Sequence, residues 1–178
     1  SAVGNRAYYS GSLNAFCSAD PGLVFGQMAK RSDFDLTGLQ RDAWLEQTRI
    51  LQKVLAEYDG MIYLEFTIPR MGRRVDALVI IGPVLFVLEF KVGEHRFLPQ
   101  DLDQVIDYAL DLHNFHEGSH HVAIAPVLVS TEARPENRSV PTTVPPDRLL
   151  SVSRTDAAGL SETLAVILKL VHADDIPV

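Results

Sequence analysis

Two acidic residues, Asp76 and Glu89, interrupt otherwise apolar stretches, and each has a basic residue two positions away: Arg74 before the first, Lys91 after the second. If 74–81 and 84–90 pair as a hairpin closed symmetrically at Gly82-Pro83, Asp76 lies opposite Glu89 and Arg74 opposite Lys91. Like charges placed so repel across roughly 4.5–5.5 Å. The flanking residues are apolar on both faces, with Val75, Ala77, Val79, Phe86, Leu88 and Phe90 on one and Leu78, Ile80, Leu85 and Val87 on the other. That pattern belongs to strands covered on both sides, where uncompensated charge is costly. A divalent cation between the carboxylates and a bound anion between the cations would relieve both repulsions, which together describe a metal-dependent phosphodiester site. The alternative is a checkerboard, with diagonal salt bridges from Asp76 to Lys91 and from Arg74 to Glu89 at an exposed sheet end. An odd-length loop at Pro83 would shift the pairing by one.

The spacing of neighbouring groups supports the first reading. Glu89 and Lys91 share a face by the strand period of two, so a metal ligand and a cation flank one point. Gln104 and Tyr108 are one helical turn apart and share a face, a spacing also common on helices without a catalytic role. Glu46 lies beside the apolar stripe of an upstream helix, where a solvated glutamate is the plain alternative.

The elements that must position these groups follow from periodicity. Thr37-Gly38-Leu39-Gln40 fits a capping box, and Trp44, Leu45, Leu51, Val54, Leu55 and Tyr58 recur at helical spacing, predicting a helix from Gly38 to Tyr58 that Asp59-Gly60 stops. Strand segments Met61 to Ile68, Arg74 to Ile81 and Val84 to Phe90 form an antiparallel meander. A helix from Gln100 to Phe115 ending by Gly118, a buried strand from Val122 to Val129, a short strand from Leu149 to Val152 and a helix from Ala158 to His172 complete the order. The fold class is therefore α/β, a sandwich with a mixed central sheet flanked by helices. Residues 1–37 show no sustained periodicity and are read as an arm packing on the domain formed by 38–178 rather than building its core.

Composition limits the function classes. A chain of 178 residues with 47% hydrophobic residues is one ordinary globular domain. The single cysteine, Cys17, precludes an intrachain disulfide and a Cys-rich zinc module, so a reducing, cytoplasmic setting is expected. The run from Ala77 to Leu88 is short and broken by Gly82-Pro83, so no membrane span is expected. The net charge of −7, from 16 basic and 23 acidic residues, opposes a broad basic nucleic-acid surface but admits a local basic cleft or a cation-attracting site. His113, His116 and His120 fall close together and admit a transition-metal reading, although cations at a helix C-terminus are the simpler one. Asp101, Asp103, Asp107 and Asp111 read most simply as a solvated helix face, the alternative being an acidic wall beside the site that disfavours DNA unless a metal or a second domain covers it.

Taken together, Glu46, Asp76, Glu89-x-Lys91 and Gln104-x-x-x-Tyr108, in an order of helix, three strands, helix, strand, resemble the PD-(D/E)xK nuclease superfamily, in particular its RecB-like branch. The resemblance covers roughly Gly38 to Val129, with Val75-Asp76 in place of the superfamily's Pro-Asp pair. The wording from Ile68 to Asp76, from Phe86 to Glu94 and from Asp107 to Leu112 is also similar to the N-terminal domain of bacterial proteins carrying a Schlafen-like P-loop helicase; no Walker A motif occurs here. The resemblance implies a restriction-endonuclease-like sandwich with an αβββαβ core plus a C-terminal strand and helix, excised from a larger helicase-containing protein. It implies Mg²⁺ or Mn²⁺ held by Asp76, Glu89 and the Phe90 carbonyl, with Glu46 as a further ligand. Lys91 is then the group that orients or deprotonates water, and Gln104 and Tyr108 position it, the water or the nucleic-acid backbone. Arg70, Arg73, Arg74 and Arg96 are the expected phosphate contacts.

The leading expectation is thus a metal-dependent nuclease acting on DNA or RNA with a covalently linked or associated P-loop helicase, either as a monomer or as a homo-oligomer. Its rivals are a nuclease-fold module that binds nucleic acid or assembles proteins without turnover, and a purely structural protein–protein module, which the net acidity suggests.

Overall fold

The structure, a computed structural model, describes residues 6–32, 36–115 and 121–175. Its sheet is assembled from six strands in chain order: β1 (Ala7–Ser12), β2 (Met61–Thr67), β3 (Arg74–Ile81), β4 (Val84–Lys91), β5 (Ala123–Ser130) and β6 (Ser153–Thr155). The first four pair antiparallel, while β4–β5 and β5–β6 are parallel, so the sheet is mixed and open. The crossover between β4 and β5 is α4 (Pro99–Phe115), as a parallel connection requires.

Helices cover both faces. On one lie α1 (Leu13–Ser18), α2 (Pro21–Arg31), α3 (Gly38–Val54) and α5 (Leu160–Asp174), which bury Phe16, Met28, Trp44, Leu51, Leu164 and Ile167 against Ala77, Phe86, Leu88 and Val127. On the other lies α4, whose Val105, Tyr108, Ala109 and Leu112 pack on Leu78, Val87 and Leu128. This double cover explains why β4 and β5 are apolar at nearly every position. No helix among the described residues is long and apolar enough to cross a membrane.

The expected α/β layering and the meander register are observed. Gly82 turns with φ 53°, and the β3–β4 ladder runs from Ile81↔Val84 to Ala77↔Leu88. Thr37 caps α3 by accepting the Gln40 N–H at 3.2 Å, although the helix gives way to a turn after Val54, short of Tyr58. Two expectations are corrected. The residues read as an arm supply edge strand β1, and their Leu13, Phe16 and Val24 are core; two short helices there leave too few turns for a periodic signal. The last strand is Ser153–Thr155 rather than 149–152, of which Leu149 makes only an isolated bridge to Ile124. Gly118, the expected end of α4, lies outside the described residues.

The strands converge tightly at Gly60, which has φ 155° and bonds through its carbonyl to Leu13 N–H at 2.9 Å. A Cβ there would overlap the Ile80 carbonyl oxygen. Gly60→Ala is therefore expected to lower the free energy of unfolding by at least about 2 kcal/mol in urea titrations, whereas a loss below about 0.5 kcal/mol would contradict the close approach.

Candidate active site

The site begins where the β3–β4 ladder stops. Beyond Ala77↔Leu88 the two backbones no longer bond each other directly, and the two carboxylates take over their donors. Glu89 Oε1 accepts the Asp76 N–H at 2.9 Å, and Asp76 Oδ2 accepts the Phe90 N–H at 2.8 Å. On the outer sides the sheet continues, β2 with β3 to Thr67↔Arg74 and β4 with β5 to Lys91↔Ser130. The strands thus part at Asp76, and the space between the end of β3 and α4 is a groove of about 650 Å³.

Sequence reasoning missed Glu65 on β2. It is buried at 6% exposure, lies in the row of Asp76, and adopts φ 51° within a strand. The alternation of faces resets at this row: Leu64 and Ala77 belong to one core cluster, Phe66 and Val75 to the other. Val75 consequently packs on the α4 side, not beside Ala77 as the period of two predicts. A charged residue inside Met61–Thr67 was the available signal, and its left-handed backbone was not legible.

The two cations pair with carboxylates other than Asp76 and Glu89. Arg74 Nε lies 3.6 Å from Glu65 Oε2, with its guanidinium 5.0 Å from the centre of the Tyr8 ring. Lys91 Nζ lies 3.6 Å from Asp101 Oδ1 and 3.4 Å from Gln104 Oε1. The checkerboard diagonals are therefore not the pairs formed, and each cation has its own carboxylate. Asp101 is accordingly part of the site rather than a solvated helix residue. Gln104 in turn donates to the Tyr108 hydroxyl at 2.8 Å, so Lys91, Gln104 and Tyr108 form one chain of contacts.

The electrostatics follow from burial. Desolvation pushes Glu65 up to about 8, with the Asp76 charge adding to it and with Arg74 and a Trp44 hydrogen bond opposing. Asp76 is raised to about 6, chiefly by desolvation, against the Phe90 N–H and Lys91. Glu89 is held well above the usual carboxylate range by burial and then by the Asp76 charge. Tyr108 is raised as well, by burial and then by Glu89.

The donor set fits a hard cation. Asp76 and Glu89 each accept a backbone N–H and also hydrogen-bond to each other, so they form a close carboxyl pair, and two carboxylates completed by water and substrate oxygens are the usual environment of Mg²⁺. A cation there would also relieve the mutual repulsion that helps to raise Glu89. Phe90 is tied to the pair through its N–H and to β5 opposite Val129. Glu46 is half-buried on α3, and no three His, Cys, Asp or Glu side chains group as a ligand set among the described residues. It is Trp44 that links α3 to the row, through Glu65. Arg73 and Arg74 line the groove; Arg70 and Arg96 are exposed and are not among its lining residues. The Arg96 carbonyl accepts the Ser130 hydroxyl. His113 pairs with the Asp147 carbonyl at 2.9 Å, and the companions His116 and His120 lie outside the described residues.

The chain matches no protein-family model, no curated protein and no solved structure.

The raised carboxyls generate a pH prediction. An acid whose folded pKa exceeds its unfolded value binds more protons in the folded state, so stability present at low pH is lost as pH rises through the folded pKa. The melting temperature of the metal-free protein is expected to fall as pH rises above the ordinary carboxylate range, the lower part reflecting Asp76 and the upper part Glu65 together with Glu89. Glu65→Gln should flatten the upper part. A profile that stays level, or one indifferent to this substitution, contradicts the assignment.

Proposed function

We propose that this chain is a Mg²⁺- or Mn²⁺-dependent nuclease that hydrolyses phosphodiester bonds of DNA or RNA at Asp76, Glu89 and Lys91. The observation that carries the reading is the parting of β3 from β4, where two paired carboxylates, each held by a backbone N–H of the facing strand, stand near a lysine whose partners Asp101 and Gln104 line the groove, although Asp76, Glu89 and Lys91 are not themselves among its lining residues. The metal, when bound, supplies a Lewis acid that polarises the phosphate and lowers the pKa of its water.

The chain's own residues do the rest. Asp76 and Glu89 would hold the cation, their orientation fixed by the opposite strand's N–H groups. Lys91, with acceptor oxygens of Gln104 and Asp101 on either side, is held as a donor. From there it can orient the attacking water and stabilise charge developing on the phosphoryl oxygens. Gln104 is a positioning residue, itself fixed by the hydroxyl of the buried Tyr108. Arg73 and Arg74 stand on the β3 wall of the groove, where they can meet phosphates on either side of the cut. Cooperation with a P-loop helicase, fused or associated, is supported by the likeness of the wording around Asp76 and Glu89 described above.

One observation favours a second reading, a nucleic-acid-binding module of nuclease fold without turnover. The α4 wall of the groove carries Asp101, Asp103 and Asp107, which repel a polyanion unless a cation is present.

Incubation of labelled single-stranded and duplex DNA and RNA with Mn²⁺ decides between them. Wild type is expected to cleave, and Lys91→Ala to lose roughly 10²–10⁴-fold in kcat, the range typical of a group assisting proton transfer. Asp76→Ala should abolish the heat of Mn²⁺ binding in calorimetry. Isotherms identical to wild type, or cleavage undiminished in Lys91→Ala, would sink the proposal; binding without products in either metal establishes the second reading.

A further inference from the structure

Outside the groove, the described surface has a second concave region, at the β1 edge. A hollow of about 250 Å³ is lined by Lys30 and Arg31 with Gln27 and Ser10, and one of about 560 Å³ by Arg6, Arg31 and Thr67. The two share Tyr8 and Arg31, and none of their lining residues is acidic. Arg31 Nη1 donates to the Ala7 carbonyl at 2.8 Å, which fixes the end of α2 against the edge strand.

These hollows are joined to the groove by direct contacts. The Tyr8 ring carries the Arg74 guanidinium, which lines the groove, and Thr67 is the register partner of Arg74. Across the sheet, the residues at this level are Tyr8, Glu65, Asp76 and Glu89, on four successive strands. Two interstrand spacings to Asp76 and three to Glu89, roughly 10 and 14 Å, therefore separate the basic edge from the carboxylate pair. The opposite wall is the acidic face of α4. Basic side chains thus line the hollows at the β1 edge and acidic ones the α4 wall, an arrangement that favours a polyanion on the β1 side.

We propose that Arg6 and Lys30 at the β1 edge bind the phosphates of the nucleic-acid strand that continues beyond the cleavage point, with Arg74 on Tyr8 linking this track to the groove. The inference rests on the nuclease reading for its orientation, and it makes the substrate path cross the strands instead of following α4. It also moves the outer phosphate contacts from Arg70 and Arg96 to residues of the N-terminal segment. A purely local role exists for Lys30, since a cation in the last turn of α2 complements the helix dipole.

Fluorescence anisotropy with a labelled single-stranded oligodeoxynucleotide in EDTA, repeated over a salt series, tests the track. Arg6→Ala/Lys30→Ala should bind more weakly and lower the slope of log affinity against log salt by about two, one per lost phosphate contact. The charge-matched control Arg154→Ala/Lys169→Ala should keep the wild-type slope. With Mn²⁺, the first variant should raise KM and keep kcat. A variant that binds with the wild-type slope, or that only melts earlier, overturns the track and leaves the nuclease reading in place. Wild type that binds through these residues but yields no products keeps the track and removes the nuclease. Wild type without salt-dependent binding overturns the track.

Discussion

The reciprocal capture of backbone N–H groups by Asp76 and Glu89 is the interaction on which the site depends. A buried ladder cannot simply end, because each unpaired donor costs about 1–3 kcal/mol. Here the carboxylates satisfy the donors that the parted strands release, so the strands diverge without orphaning them. The same act fixes both carboxylates in place, with Glu89 buried and Asp76 half-buried. Their raised pKa values are the electrostatic trace of that arrangement, since the N–H donors favour the charged forms but do not outweigh desolvation.

The second wall is positioned by packing. α4 is held by Val105, Tyr108, Ala109 and Leu112, all buried against the sheet. Gln104 and Asp101 stand at the margin of this apolar stripe, where a helical residue can touch both core and groove. Lys91 meets them because β4 extends past the point where β3 leaves it. One strand thus serves two neighbours: its β3 side ends at Leu88 in the ladder sense, and its β5 side continues to Lys91.

Much of this was legible in the sequence, for identifiable reasons. The hairpin register followed from the Gly82 turn and from strands so apolar that Asp76 and Glu89 stood out. The Gln104–Tyr108 pair followed from helical spacing, and its 2.8 Å bond is the local contact that such spacing allows. What escaped was set by tertiary contacts. Asp101 looks like its solvated neighbours Asp103 and Asp107 until Lys91 is brought beside it. Glu65 looks like one polar residue in a strand until three adjacent strands place it in the row of the pair. The role of residues 7–31 escaped because an edge strand and two short helices carry little periodicity of their own, yet Leu13 and Phe16 are wholly buried.

Glu65 shows how three acids are tolerated in one row. If all three were equivalent, their repulsion would oppose folding with nothing to separate their roles. The structure divides them. Glu65 is turned by its left-handed backbone and engaged by Arg74 and Trp44, whereas Asp76 and Glu89 engage N–H groups and face Lys91. Arg74 is shared between Glu65 beneath and Tyr8 beside it, so the acid farthest from Lys91 fixes the cation that stands at the mouth of the groove. A net charge of −7 is then a poor guide to the groove: its acids are buried, countered or grouped on α4, and its accessible cations lie on the β3 wall. The distribution of charge along this row, and not the total, decides what the groove can hold.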